Sequence, residues 1–255
     1  MLNLPHKHLF VMFFVMLYIP AGTGPVFAAC DDVPAPGVNW VDCDLTAKDF
    51  SDIDLSGAIM TNAVLDDVNF SGARLNRVEF NFASLKNARF DGARMSDARL
   101  LAVKAENASF KKAVMENARF SRSDLRKADF SEARADKANF YDAKLASANF
   151  TGARLNGANF EQAGLNRAVF DRAALQQTVF RDAKLEQAGF VKADLNKSIF
   201  DGASCRDANF TEADLTRASF REAEIEEADF TGAILKDTIW SNYKRCRSSS
   251  IGVCE

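Results

Sequence analysis

From Val41 to Trp240 an apolar residue falls on every fifth position, without one slip of phase. A period of five fits neither an amphipathic helix near 3.6 nor a strand at 2.0. Self-similarity at a fixed period is instead the mark of a solenoid. Positions ending in zero, from Phe50 to Trp240, are Phe in 17 of 20 cases, the exceptions being Met60, Leu100 and Trp240. Positions ending in five, from Leu45 to Leu235, are mostly Leu, with Met95, Ala105, Met115, Ala135, Cys205 and Ile225 as variants. Ala stands two places before these residues in 30 of 40 cases, so each unit offers one large and one small inward position. The small residue lets the backbone turn close to an axis that Leu or Phe then fills.

Polar residues hold most of the other three places, as Asn209, Thr211 and Glu212 do around Phe210, and should face water. Four units would close a square turn of about twenty residues, with ladders between turns at about 4.8 Å. About ten such turns make a rod on the order of 48 Å long. The Leu/Phe alternation then gives each side of the square one residue type. Phe50, Phe70, Phe90 and Phe110 should climb one side, and Phe80, Phe120 and Phe140 the side opposite. Rings at one-turn spacing can stack in offset fashion, for roughly 0.5–1.5 kcal/mol per pair beyond area burial.

Units such as Ala128-Asp129-Phe130-Ser131-Glu132 and Ala213-Asp214-Leu215-Thr216-Arg217 resemble the Ala-(Asp/Asn)-Leu-x-x repeat of pentapeptide-repeat proteins. The resemblance covers about 200 of 255 residues. It implies an all-β fold, a right-handed quadrilateral β-helix. The end segments around Trp40-Val41-Asp42-Cys43 and Ser250-Ile251-Gly252-Val253-Cys254 are similar to those of exported bacterial members of that family.

Four segments follow: 1–29 a signal peptide, 30–40 an N-terminal cap, 41–240 the repeat, and 241–255 a C-terminal cap. Lys7 precedes an apolar run of eleven residues, Leu9 to Ile19, and small residues lead to Ala28-Ala29. That order reads as a secretory signal, and the run falls short of the roughly 20 residues that span a bilayer. Val26-Phe27-Ala28 places the cut after residue 28 or 29. Phe27-Ala28-Ala29-Cys30 also resembles a lipoprotein box, which would anchor Cys30 to the membrane by a lipid.

The expected reading of Cys30 is half of a disulfide, because the cysteine count then works out evenly. Cys30 with Cys43, and Cys246 with Cys254, would staple the two ends, an arrangement that persists in an oxidising compartment. Cys205 falls on an inward position, where a thiol behaves as a small hydrophobe. A metal site from the four terminal cysteines is disfavoured by irregular spacing and distance. Pro34, Pro36 and Gly37 break the repeat and suit a cap, since proline cannot donate to a ladder.

Chemistry is sparse. The two histidines, His6 and His8, lie in the expected signal segment, so the mature chain would lack imidazole for acid/base work. No phosphate loop or dinucleotide fingerprint is found. The Asp and Asn residues before Leu or Phe read as solvated or turn-bonding groups. No catalytic residue, metal or cofactor is expected.

A solenoid usually acts by presenting a surface. Every twentieth residue places Arg74, Arg94, Arg134 and Arg154 in one column, with Val114 interrupting it and Arg77 and Lys137 beside it. Asp97, Glu116 and Asp136 lie close enough to neutralise it in part. Phe82, Leu101 and Ala102 form a small apolar group, with Tyr141 further along. With a net charge of −3, general attraction to nucleic acid is not expected. The reading is a non-catalytic exported scaffold that presents its faces to a protein or cell-envelope partner. The alternatives are a lipid-anchored form of the same scaffold, or a gyrase-binding DNA mimic like the cytosolic quinolone-resistance members. Mimicry would need a strongly negative flank, and the charges here are mixed.

Overall fold

The computed structural model describes residues 29–255; residues 1–28, which make up nearly all of the expected signal segment 1–29 and include His6 and His8, lie outside the described residues. Parallel bridges join residues twenty apart, from Asn39↔Ile59 to Ser219↔Ile239, so each coil lies on the one before it in strict register. The sides of the square are single bridges, and the corners are turns on the first and second residues after each large central residue, such as Val41-Asp42 after Trp40. The ladder reaches back to Asn39, so the first coil begins inside the segment expected to be only a cap.

Backbone hydrogen bonding explains why five residues make one unit. Taking the unit around Phe150, Ala148 N–H closes a turn to Leu145 C=O at 3.0 Å. Asn149 N–H donates to Ala128 C=O of the coil before at 3.0 Å, and Phe150 N–H to Val169 C=O of the coil after at 2.6 Å. Gly152 N–H donates to Asp171 C=O, also one coil on, at 2.9 Å. Four of five amides are thus satisfied by the main chain. The fifth belongs to Thr151, and it donates to Asn149 Oδ1 at 3.0 Å.

This one leftover donor accounts for the Asp or Asn before so many central residues, since a buried or half-buried amide must find an acceptor. Asp44, Asp54, Asn159 and Asp214 serve their own units in the same way. Elsewhere the acceptor comes from one coil earlier, as Asp66 for Lys86 N–H. Asn149→Ala should therefore cost about 1 kcal/mol, read as a lowered midpoint in chemical denaturation. An unchanged midpoint would mean water replaces the side chain without loss.

The same donors act on the carboxylates. The Thr46 and Ser56 hydroxyls, with the backbone amides of the same residues, hold Asp44 and Asp54 below the usual carboxylate range. The Thr231 hydroxyl and amide do so for Asp229. A folded-state pKa below the unfolded value contributes stability that is present above the ordinary range and lost as pH falls through the folded value. Thermal midpoints should hold from pH 7 down to about pH 4 and then decline; a midpoint that rises on acidification would contradict this assignment.

Inside, the two phenylalanine columns behave as one aromatic lattice. Phe110, Phe130, Phe150 and Phe170 stack nearly parallel at 4.7–4.8 Å between centroids. The opposite column, including Phe140 and Phe160, meets them edge-on, with Phe150 at 5.9 and 5.6 Å from these two rings. Stacked spacing equals the coil rise, so the backbone ladder and the ring stack reinforce each other.

Some exceptions to Ala in the small slot have a visible cost. The turn bond spans 2.9–3.2 Å at the Ala slots, a range that also holds Val78, but lengthens to 3.4 Å at Val68 and Ile53. At Val103 the direct bond is replaced: its N–H donates to Ser123 Oγ at 3.2 Å, and that hydroxyl donates to Leu100 C=O at 2.6 Å. Lys48 takes a nominally inward slot in the first coil, yet its side chain is exposed at the rod's end.

The ends are closed differently. Cys30 is bonded to Cys43, with Cα atoms 5.4 Å apart. Cys246 is bonded to Cys254, with Cα atoms 4.8 Å apart. The last segment turns back antiparallel, bridging Ile239↔Arg245 and Ile234↔Ile251. Cys205 is the free cysteine among the described residues and is buried, which pushes its thiol pKa far above the usual range.

Candidate functional site

The outward residues divide into columns one coil apart, and the columns can be judged by what their side chains touch. The arginine column rises on the side of the square that carries Leu75, with Arg74, Arg94, Val114, Arg134 and Arg154 bridged in sequence. Arg74 lies 3.6 Å from Asp54, Arg134 2.9 Å from Glu116, and Arg154 3.0 Å from Asp136. Only Arg94 joins no ion pair in that column among the described residues. These pairs are half exposed and contribute little to stability. Their effect is to cancel the stripe, so the column presents alternating charge.

The neighbouring side, built on Phe80, Leu100, Phe120 and Phe140, is different. Two adjoining recesses, of about 300 and 540 Å³, share Arg99 and Arg119. Arg77, Glu79, Asp97 and Asn117 complete the first; Asn81, Leu101, Ser121 and Asn139 complete the second. Arg99 donates to Glu79 Oε1 at 2.6 Å. Arg77 and Arg119 join none of the ion pairs found among the described residues. Asn81 Oδ1 accepts the Leu101 N–H at 3.1 Å, which fixes the turn that carries Leu101.

Phe82 and Leu101 border this region. Phe82 N–H donates to Leu101 C=O at 2.9 Å, so the two are backbone neighbours on successive coils. Their side chains are 56% and 37% exposed; most of the other exposed large apolar side chains, such as Val33, Tyr243, Ile251 and Val253, lie in the end caps. Phe82 also has φ of +62°, a region unfavourable for a bulky L-residue. Phe82→Gly should thus stabilise the fold by about 0.5–1 kcal/mol, measured as a raised denaturation midpoint. A lowered midpoint would show that the ring packs usefully where it is. Tyr141 lies further along, its hydroxyl donating to Gln162 Oε1 at 2.9 Å.

Of the residues singled out in the sequence, the structure brings Arg77 and Leu101 to this region, with Phe82 at its border. Arg74, Arg94, Arg134 and Arg154 sit on the next side of the square, and Lys137 on the corner between the two. Arg99 and Arg119 were missed. The signal was present as a column of its own, Glu79, Arg99, Arg119 and Asn139, twenty residues apart.

The fold is thus an all-β solenoid of five-residue units, four to a coil. The model of the pentapeptide repeat region matches residues 37–110, 83–160 and 158–230. The chain belongs to the pentapeptide repeat family. Its architecture is that family's right-handed quadrilateral β-helix. Among solved structures it is similar to HetL, a pentapeptide repeat protein involved in heterocyst differentiation regulation in the cyanobacterium Nostoc sp., at 24% identity over 82% of this chain and 92% of that one, TM-score 0.47. It is also similar to QnrB1, a plasmid-mediated fluoroquinolone resistance protein, at 20% identity over 79% and 91%, TM-score 0.36. A pentapeptide repeat protein of the Arabidopsis thaliana thylakoid lumen matches at 33% identity over 44% and 65%, TM-score 0.24. No protein among curated sequences matches the chain significantly.

Proposed function

We propose that this pentapeptide repeat protein is an exported, non-catalytic scaffold that engages a protein or cell-envelope component through the flank of its rod. The observation that carries the reading is the disulfide at each end, Cys30–Cys43 and Cys246–Cys254. Such bonds persist in oxidising compartments, the bacterial periplasm among them, and are rare in the cytosol. Residues 1–29 then act as a removable signal, 30–40 and 241–255 as caps, and 41–240 as the binding body. A bridge to Cys43 consumes the Cys30 thiol, which argues against a lipid anchor at that sulfur. The alternating charge on the arginine column argues against a DNA mimic, which would need an acid-dominated flank.

A scaffold suits the way the fold separates its tasks. Two of every five residues fill the core and the ladder uses mostly the main chain, so apart from the amide-capping Asp or Asn the outward positions can vary at little cost to the coil. The test is fractionation of the native organism's cells with intact-mass measurement. The expected species begins at Ala29 or Cys30, lies outside the cytosol and carries two disulfides. A full-length cytosolic chain retaining His6 and His8 would overturn the export reading. Crosslinking within the native envelope should then trap a partner.

A further inference from the structure

We infer that the recess around Arg99, Arg119 and Leu101 is the docking site for an acidic, apolar-bearing segment of a partner protein. This rests on the scaffold reading and specifies where, and with what chemistry, the scaffold binds. Three features converge on this side of the rod. Arg77 and Arg119 lack a carboxylate partner among the described residues, while the arginines of the next side are mostly paired. An unpaired guanidinium on a chain of net charge −3 offers a local site for an anion that the molecule as a whole does not attract.

Second, Leu101 and Phe82 expose apolar surface on the flank, and Phe82 does so from a left-handed backbone position. Neither feature helps the coil fold. Third, the turn beneath Leu101 is held by an inserted buried hydroxyl, Ser123, and by the Asn81 side chain. Leu101 is therefore presented from a fixed backbone, which reduces the ordering cost of binding.

The charge pattern selects among anionic partners. Glu79 and Asp97 stand between the arginines in the first recess. A polyanion with a charge on every unit would meet these carboxylates as well as the guanidiniums. A peptide with a single carboxylate near an apolar side chain can place the former on Arg119 and the latter on Leu101. Asn81, Ser121 and Asn139 then supply amide and hydroxyl groups for its main chain.

The test uses the mature full-length chain and labelled eight-residue peptides in which Asp or Glu alternates with Leu or Phe. Lys and Gln versions of the same peptides, a single-stranded oligonucleotide and phosphatidylglycerol vesicles serve as competing probes. The acidic-apolar peptide should bind best, with chemical-shift changes centred on Arg99, Leu101 and Arg119. Arg119→Glu should weaken it by about tenfold or more, as loss of a charge-assisted pair does; Leu101→Ser should weaken it several-fold. Arg172→Glu, an exposed change elsewhere, should leave affinity unchanged.

Equal binding by Arg119→Glu and the parent, or shifts centred on another side, would overturn the assignment. Preference for the oligonucleotide or the vesicles would replace the peptide by a phosphate-bearing partner and likewise overturn it. Circular dichroism and intact disulfides in each variant separate misfolding from lost contact, since both positions face outward. If the peptides fail while envelope crosslinking still traps a partner on another side, the scaffold reading stands and this site alone falls.

Discussion

Replacing Phe150 with alanine should lower the stability of the rod by about 3–5 kcal/mol. The ring is fully buried, stacked between Phe130 and Phe170 at 4.8 and 4.7 Å and met edge-on by Phe140 and Phe160. Truncation removes apolar contact on four sides and leaves a cavity that the coils cannot close, because the ladders above and below fix their spacing. The measurement is the denaturation midpoint together with its slope. A repeat array can also respond by splitting its transition, with the halves on either side of residue 150 melting separately. A midpoint equal to that of the parent would mean that the column carries no packing energy.

Ending the chain at Trp240 should have an effect of similar size, expressed differently. Leu235 N–H donates to Ser250 C=O at 3.0 Å, and Trp240 N–H to Lys244 C=O at 2.7 Å. Without the returning segment, these donors form an open strand edge above an exposed aromatic core, the condition that favours pairing between chains. The truncated chain should elute as larger species than the parent, at proportions that rise with concentration, and should melt earlier. A milder version replaces Cys246 and Cys254 together with serine. Closing an eight-residue separation contributes about 2–3 kcal/mol by the chain-entropy account, so the last coils should gain amide exchange while the centre does not. A truncated chain that elutes and melts like the parent would show the cap to be dispensable.

Much of this architecture could be read from residue order. The phase of five, the Phe and Leu columns and the small slot at Ala all appear in the coil as the pattern requires. They do so because a solenoid repeats one environment, and each residue type reports that environment directly. Cys30, Cys246 and Cys254 were legible for the complementary reason that they fall outside the phase, and Cys43 because it replaces Ala in a small slot at the first coil. Other features were less visible. The second turn residue of each unit from Asp42 to Asp237 has positive φ, including Arg122, Lys127 and Glu132, which have no preference for that conformation. The ladder bond from each of these amides to the next coil holds them there, at roughly 1–2 kcal/mol of local strain apiece.

The candidate site was only half legible. Arg77, Phe82 and Leu101 stood out as departures from the pattern, but Arg99 and Arg119 looked like ordinary outward residues. The column Arg74 to Arg154 looked stronger because its members are the same residue type. What decided between them was pairing: Glu116 and Asp136 reach forward one coil to Arg134 and Arg154, while no carboxylate among the described residues reaches Arg119. Such a difference depends on side-chain reach across a corner of the square.

By itself, then, the order of residues determined the coil and its core columns, because those follow from a period and from which positions are apolar, while an even count of terminal cysteines only suggested the end staples that the structure shows. Only the tertiary structure decided which charges cancel, which amides borrow a side chain, and which side of the rod keeps an uncompensated arginine beside exposed leucine. The charge pairings and the Ser123 bridge turn on distances between residues eighteen to twenty-three apart in sequence, set by how one coil sits upon the next.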